Sequence, residues 1–212
     1  MNDTYDTIIS LLYQAKSPVF LTGAGVSASS GIPTYTSDDG TRDRSTFDPE
    51  SDSYQKISSE VVDAIKMAEP NDAHYLPGEL AFYGADVKVV TQNIDGLYQA
   101  AGFSEENLVE LHGNLDRGDI VGFGEQLDEQ GIFKAQQWIL AADLLVIAGT
   151  GLWVEPAASL PYLMLSRPDN KIVLINKGGC SLLDSKSLLS KTVYIDNRCC
   201  TEVFGKVMEE MR

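Results

Sequence analysis

The chain has 212 residues, 43% of them hydrophobic, which is enough for one sizeable core and predicts a single domain over residues 1–212. Its formal net charge of −15 argues against a nucleic-acid surface, which needs clustered lysine and arginine, and no stretch is apolar enough to span a membrane. Residues 1–6 lack the basic start and apolar block of a secretory signal, so we expect a cytoplasmic protein.

The three cysteines are Cys180, Cys199 and Cys200, and none of them belongs to a C-x-x-C pair. Two adjacent cysteines make a poor disulfide and a poor half of a zinc site. We therefore expect a reducing compartment and no bound metal, because three cysteines without paired spacing do not supply a four-ligand site.

Short apolar runs alternate with helical patterns along the chain. Asp3 or Thr4 can cap a first helix, and Asn71 can cap a later one, which Pro77 should distort and Gly84 should end. Strand-like runs are found at 19–21, 87–91, 108–111, 144–147, 171–175 and 192–195. Further helical patterns are found at 57–67, 97–101, 132–142, after Pro156, and in a final segment that ends at Met211.

The stretch from Val19 to Pro33 joins a strand-like run to a turn of small residues. Gly23 and Gly25, with Ala28 in the third position, match the G-x-G-x-x-G/A pattern of dinucleotide-binding turns. Such glycines let the backbone approach a pyrophosphate, whose charge is favoured by the N–H groups and positive dipole end of the following helix. The pattern predicts a strand, a tight turn and a helix start, at a nucleotide site or in an ordinary βα connection.

The polar region from Pro33 to about Ser53 replaces the second strand whose terminal acidic residue would hold a ribose hydroxyl. Asp38 and Asp39 have a suitable spacing but not the strand context. The loop at about 33–53 lies next to the candidate phosphate turn, where it could cover a cofactor that is consumed in the reaction. A surface loop without a function would have the same composition, so both interpretations stay open.

Polar clusters and small-residue turns follow the predicted strands. They lie at 92–96, 112–114, 149–151 and 176–179. Alternating strands and helices with polar groups at strand ends are typical of a doubly wound parallel sheet whose site lies along the carboxyl edge. We therefore predict a Rossmann-like α/β fold, with any nucleotide bound at this edge.

Several blocks, in the same order, resemble the sirtuin (Sir2) family. They are Gly23-Ala-Gly25 with Ser30-Gly-Ile-Pro33, Thr91-Gln-Asn-Ile-Asp-Gly-Leu97, His112-Gly113, Gly149-Thr-Gly-Leu152, Pro156-Ala157 and Asn176. The resemblance covers the chain from about Pro18 to the final helix. It implies a large Rossmann-type domain and NAD-dependent removal of an acyl group from lysine, with an acylated lysine of a protein or peptide as the substrate.

The resemblance also implies which residues contact NAD. The pyrophosphate and the nearby ribose would be lined by Gly23, Ala24, Gly25 and Ser27, followed by the loop residues Pro33 and Tyr35. The nicotinamide ribose would face Gln92 and Asn93, and the carboxamide would be held by Ile94 and Asp95. The adenosine side would be contacted by Gly149, Thr150, Asn176 and Cys199, and Gly151, Lys177 and His112 are further candidate cofactor contacts.

His112 and Asn93 are the catalytic residues that the resemblance implies. His112 would be the general base that helps a ribose hydroxyl attack after the acyl oxygen has captured C1′, and the ordinary pKa of histidine suits that role. A single histidine can instead be structural, as His74 is at its matching family position. Asp95 can also cap the helix that begins at Gly96.

The sequence departs from the family pattern at three places. Thr34-Tyr35-Thr36 replaces Asp-Phe-Arg, which removes an arginine that contacts the cofactor in relatives and leaves open weaker NAD binding or a different acceptor. Gly151 replaces a serine near the phosphates. Between Leu115 and Asp119 the usual zinc ribbon is missing, and three residues, 116–118, stand in its place.

The segment from Asp119 to Glu125 resembles the family strand that pairs with the substrate backbone around the acyl-lysine. Its candidate substrate contacts are Val121, Phe123 and Gly124. The same segment can be an ordinary edge strand, which is also the geometry that addition of a peptide strand requires.

The leading hypothesis is a zinc-less, single-domain NAD-dependent protein-lysine deacylase (deacetylase) that cleaves the nicotinamide–ribose bond and transfers the acyl group to ADP-ribose. A protein ADP-ribosyltransferase or an NAD hydrolase would share that first bond cleavage. A non-enzymatic NAD or ADP-ribose sensor is a third hypothesis, although a pure binder has no need of a base at His112 beside Asn93 and Asp95. The sequence does not specify the oligomeric state.

Overall fold

The computed structural model describes residues 3–34, 59–122, 124–167, 169–189 and 192–211. Its α-helices are α1 (Asp3–Gln14), α2 (Ser59–Met67), α3 (Asp72–Phe82), α4 (Leu97–Ala100), α5 (Glu129–Ala141), α6 (Lys186–Leu189) and α7 (Cys200–Met211). Its strands are β1 (Pro18–Thr22), β2 (Lys88–Thr91), β3 (Leu108–Glu110), β4 (Leu144–Ala148), β5 (Lys171–Ile175) and β6 (Thr192–Asp196). None of these helices combines the length and hydropathy that a membrane crossing requires.

The strands form one sheet in the order β3-β2-β1-β4-β5-β6, and every neighbouring pair is parallel. Strand β1 lies inside the sheet, where Leu21 is aligned with Val90 of β2 and with Ile147 of β4. Each strand returns to the same direction through a crossover connection, as parallel pairing demands. The doubly wound, Rossmann-like sheet predicted from the sequence is confirmed.

Both faces of the sheet are covered, so the central strands are buried throughout their length. Side chains alternate between the faces of a strand. Phe20 therefore packs on one side, with its ring centroid 5.9 Å from that of Phe204 in α7. Val19 and Leu21 pack on the other side, in a core that includes Ile139 of α5. This burial holds the carboxyl ends of β1 and β4 rigidly side by side.

Helix α3 begins where the sequence predicts. The side chain of Asn71 accepts a hydrogen bond from the Ala73 N–H at 2.9 Å, and His74 Nδ1 accepts from the Asn71 N–H at 3.1 Å, which forms a capping box. Pro77 lies inside α3 and does not end it, because the helix continues to Phe82. Pro77 and its neighbour Leu76 are buried, so packing compensates for the hydrogen bond that proline cannot donate.

Two of the predicted helices are of the 3₁₀ type. After the glycine turn the chain forms the short 3₁₀ segments Ala24–Val26 and Ala28–Ser30. They stop at Gly31, which has a φ of 87° and donates its N–H to Ala28 O at 3.0 Å. The segment after Pro156 is the 3₁₀ helix Ala157–Ser166, which contains a second proline that lacks an N–H. The glycine turn therefore does not lead into a long α-helix with a strong dipole.

Candidate active site

The order of strands reverses between β1 and β4, and two glycine turns meet at this point. Gly25 donates its N–H to Gly149 O at 2.8 Å, and Gly23 donates to Ala148 O at 3.2 Å. A Cβ placed on Gly25 would lie 2.7 Å from Gly149 Cα, so the two backbones touch. Open α/β sheets bind ligands in the crevice at such a switch point, beyond the carboxyl ends of the strands.

A third turn lies beside these two, at the end of β5. Asn176 donates its backbone N–H to Asp196 O at 3.0 Å, and its side-chain nitrogen donates to Gly178 O at 3.1 Å. Lys177 is exposed next to it. The sequence-predicted turns at 23, 149 and 176 therefore end three strands that are adjacent in the sheet, β1, β4 and β5.

Ser27 connects the glycine turn to the polar cluster that follows β2. It is fully buried, its hydroxyl donates to Asp95 Oδ2 at 2.6 Å, and its oxygen accepts from Asn93 Nδ2 at 2.9 Å. The other carboxylate oxygen of Asp95 accepts the Leu97 N–H at 3.0 Å, so Asp95 satisfies the first N–H of α4, whose N-cap residue is Gly96. Burial raises the pKa of Asp95, and its hydrogen bonds oppose that rise.

His74 completes this cluster, although the sequence assigned it a structural role only. Because Nδ1 accepts the Asn71 N–H, we assign the proton to Nε2, which lies 3.2 Å from Ser27 Oγ and donates to it. Burial lowers the pKa of His74 to about 4. The ring is therefore neutral at pH 7, and the hydrogen bonds run in one direction from His74 through Ser27 to Asp95.

Removing the His74 ring should change how stability depends on pH. The folded-state pKa of about 4 lies below the ordinary 6.5, so the unfolded chain binds the extra proton first. Stability from neutral His74 is therefore fully present above pH 6.5 and is lost as pH falls toward 4, by an amount on the order of 3 kcal/mol. Denaturant unfolding at pH 7 and pH 5 should show His74→Gln losing its stability deficit at the lower pH. A deficit of the same size at both pH values would contradict this account.

His112 lies two residues after β3, at the same carboxyl edge of the sheet. Burial lowers its pKa, and a hydrogen bond to the backbone of Gln92 partly restores it. A neutral imidazole that donates one ring N–H keeps its other nitrogen free to accept a proton. His112 is therefore in the protonation state that a general base requires at neutral pH.

The Gln92 side chain, which follows β2, contacts the residues that end β1 and follow β4. Its side-chain nitrogen lies 3.2 Å from the Thr22 carbonyl oxygen and 3.0 Å from Thr150 Oγ1. Thr150 Oγ1 in turn accepts the Leu152 N–H at 3.1 Å, which shapes the turn after β4. The amide nitrogen of Gln92 thus stabilises the crevice from inside the protein.

Cys199 follows β6, and Gly151 follows β4. Cys199 Sγ is 3.7 Å from Ser29 Oγ, and the next residue, Cys200, donates its thiol to Gly25 O at 3.4 Å. Gly151 packs against the indole of Trp153, since a Cβ there would lie 2.1 Å from Trp153 Nε1. Trp153 is 47% exposed and was not identified from the sequence. Its indole occupies the space in which the family's serine side chain would begin.

The predicted strand after His112 is wrong for its described residues, because residues 119–122 and 124–125 form no strand. The segment folds back instead, and Val121 donates its N–H to His112 O at 3.0 Å. Gly124 is exposed beside it. Tyr35 and Phe123 lie outside the described residues, as does nearly all of the predicted loop that begins at Pro33.

The Sir2 family model matches residues 23–118, which contain the glycine turn, Asp95 and His112. The chain is also 34% identical over 199 residues to NAD-dependent protein deacylase 1 of Caldanaerobacter subterraneus subsp. tengcongensis, with 74% of this chain and 81% of the relative covered. The chain belongs to the Sir2 family. It shares 31% identity over 255 aligned positions with the NAD-dependent protein deacetylase of Clostridium perfringens, and 99% and 100% of the two chains are covered.

The fold agrees with this assignment. A solved Sir2 structure with a p53 peptide and NAD+ superimposes on this Sir2-family chain with a TM-score of 0.76, at 29% identity and 97% coverage of both chains. The 255-position alignment is longer than the 212 residues of this chain, so it includes positions at which the chain has no residue. Among the residues described, no group of three or more His, Cys, Asp or Glu side chains is arranged to hold a metal ion.

Proposed function

We propose that this Sir2-family protein is an NAD-dependent protein-lysine deacylase (deacetylase), which cleaves the nicotinamide–ribose bond and transfers the acyl group to ADP-ribose. The relatives carry this activity in their names, and the solved Sir2 structure contains both a peptide and NAD+. One observation supports the proposal most. Ser27 brings Asp95 and Asn93 together beside the glycine turns at the switch point, on the edge that also carries His112.

The glycine turns at the crevice suit the pyrophosphate of a dinucleotide. Gly23, Gly25 and Gly149 have no side chains, and a Cβ on Gly25 or Gly149 would lie within 2.7 Å of the backbone of the other turn, while a Cβ on Gly23 would lie 2.8 Å from Thr150 Cβ. A pyrophosphate can approach backbone only where side chains are missing in this way. We assign the phosphates to this turn and the adenosine to the side of Asn176 and Cys199. NAD supplies an activated C1′ carbon, because nicotinamide is a good leaving group.

Three residues of the chain have separate roles at the nicotinamide end of NAD. Asp95, held by Ser27 and by the Leu97 N–H, presents a fixed polar group for the nicotinamide carboxamide. Asn93 is fixed by the same serine, which orients it toward the nicotinamide ribose. Neutral His112 accepts the proton from the attacking hydroxyl and holds it at its free ring nitrogen.

The acyl-lysine is assigned to the segment that follows His112. Val121 and Gly124 flank the position of Phe123 in this segment, and Val121 is tied to the backbone of His112. A chain with a net charge of −15 also suits peptides that carry cationic residues around the acylated lysine. The cytoplasmic location expected from the sequence stays a prediction.

Products distinguish this function from its alternatives. The purified protein is incubated with NAD and a panel of acylated peptides, and nicotinamide, O-acyl-ADP-ribose and protein-bound ADP-ribose are measured together. We expect nicotinamide and O-acyl-ADP-ribose in equal amounts, and only when an acylated peptide is present. Peptide-independent nicotinamide would show an NAD hydrolase, and labelled protein would show an ADP-ribosyltransferase. Binding of NAD without any nicotinamide release would show a sensor.

A further inference from the structure

The loop after His112 closes on itself within ten residues. The backbone oxygen of His112 accepts the Val121 N–H at 3.0 Å, so the chain returns to His112 where the sequence lacks the zinc ribbon. Gly113 has a φ of 77°, and a Cβ on it would lie 2.1 Å from Asp119 O. The two arms of the loop are therefore in direct contact on the side of the catalytic histidine.

Arg117 lies at the tip of this loop and bridges two carboxylates. Its Nη1 is 2.5 Å from Glu110 Oε2, and its Nε is 2.9 Å from Asp119 Oδ2. Asp119 Oδ1 also accepts the Asn114 N–H at 2.7 Å. Glu110 precedes His112 by two residues and Asp119 lies in the returning arm, so the guanidinium connects the chain on both sides of the base.

Glu110 depends on this contact. Its side chain is only 5% exposed, and its other partners are the neutral amides of Asn114, at 2.7 Å, and Gln99, at 3.0 Å. A buried carboxylate needs a counter-charge, and a planar guanidinium can serve two carboxylates at fixed angles. Among the described residues, Arg117 is the cation within ion-pair distance of Glu110.

We propose that Arg117 is a positioning residue for the reaction, which fixes the His112 loop by clamping Glu110 to Asp119. In the usual members of the family a zinc ribbon fills this segment. Here the Arg117 side chain closes the loop instead. This inference rests on the proposed role of His112 as general base. Arg117 itself touches no reacting atom, so its effect should be on turnover through the orientation of His112.

The test compares Arg117→Met, Arg117→Lys and the double variant Arg117→Met/Glu110→Gln with the parent protein. We expect Arg117→Met to lower kcat for deacylation by about tenfold, with KM for NAD changed less than about twofold, since misplaced groups lose rate more than binding. Arg117→Lys keeps one contact and should recover part of kcat. The double variant removes the unpaired buried charge, so it should regain thermal stability while kcat stays low. Lys206→Ala, which removes an exposed ion pair on α7, is the matched control.

An unchanged kcat in Arg117→Met would overturn the proposal, and so would a double variant that regains both stability and kcat. A measurement that does not depend on deacylase activity distinguishes failure of this proposal from failure of the proposed function. The chain has two histidines, so the ring nitrogens of His112 can be followed by NMR with His74 as an internal reference. We expect Arg117→Met to shift the His112 signals and leave those of His74 in place. Unmoved His112 signals would overturn the proposal even in a protein that shows no deacylase activity.

Discussion

His112→Ala is expected to lower turnover by roughly 100-fold or more while NAD affinity stays within about twofold of the parent value, because the variant loses one positioned base. The proposed adenosine and pyrophosphate contacts belong to turns after β1, β4 and β5, and His112 follows β3 at the end of the sheet. Binding and chemistry should therefore separate. Calorimetric titration with NAD and a product assay with an acylated peptide measure the two quantities.

His112→Gln is the matched variant, since an amide can still hydrogen-bond to the Gln92 backbone but accepts no proton at neutral pH. If His112 is catalytic, both variants lose turnover, and His112→Gln keeps its thermal stability. If the ring is only structural, activity should follow stability, and His112→Gln should retain both. Nicotinamide exchange that survives in either variant would place His112 after the first bond cleavage. Deacylation at the parent rate would exclude His112 as the base.

Gly25→Ala is expected to reduce NAD affinity by about tenfold or more and to destabilise the fold by about 1–3 kcal/mol, the usual range for overpacking. The new methyl group would lie 2.7 Å from Gly149 Cα and 2.9 Å from Gly149 O. Both atoms belong to backbone at the end of β4, so neither can rotate away. One glycine turn must move, and with it the surface assigned to the pyrophosphate. Thermal unfolding and NAD titration measure the two effects.

Gly78→Ala is the control for that substitution. Gly78 lies inside α3, and a Cβ there meets nothing within 4 Å, so the alanine should stabilise the protein by up to about 1 kcal/mol without changing NAD affinity. The same substitution, glycine to alanine, is therefore expected to lower the free energy of unfolding at Gly25 and to raise it at Gly78. A Gly25→Ala protein that binds NAD and unfolds like the parent would show that contact between the turns is not required.

The sheet could be predicted because its signals are local. Val19 to Leu21 and Leu144 to Ile147 are apolar runs of strand length, and each is followed by glycines, so strand and turn are both visible within a few residues. The 3₁₀ type and short length of the helix after the first turn were not predicted, for the opposite reason. Its length depends on where Gly31 adopts a positive φ, and the G-x-G-x-x-A spacing carries no information on that residue.

The contacts of His74 and Arg117 were not predictable from spacing. His74 bonds to Ser27, 47 residues away in sequence, and only the packing of α3 beside the glycine turn brings the two together. Arg117 looks like an ordinary surface residue in the sequence, because its partners depend on how the His112 loop returns to its start. Resemblance to the family implied roles for Asp95 and His112 but gave no information on this loop, where the chain departs from the pattern.

The position of β1 in the sheet affects the order in which the protein can fold during synthesis. Pro18 is in register with Leu144, so one side of β1 stays unpaired until β4 has been made. At roughly 5–20 residues per second, the ribosome leaves that side open for on the order of ten seconds. During this time the middle strand of the finished sheet is an edge strand whose Phe20 and Leu21 become fully buried only later. The nascent chain therefore exposes one edge of an apolar strand until β4 has been made, before the crevice can form.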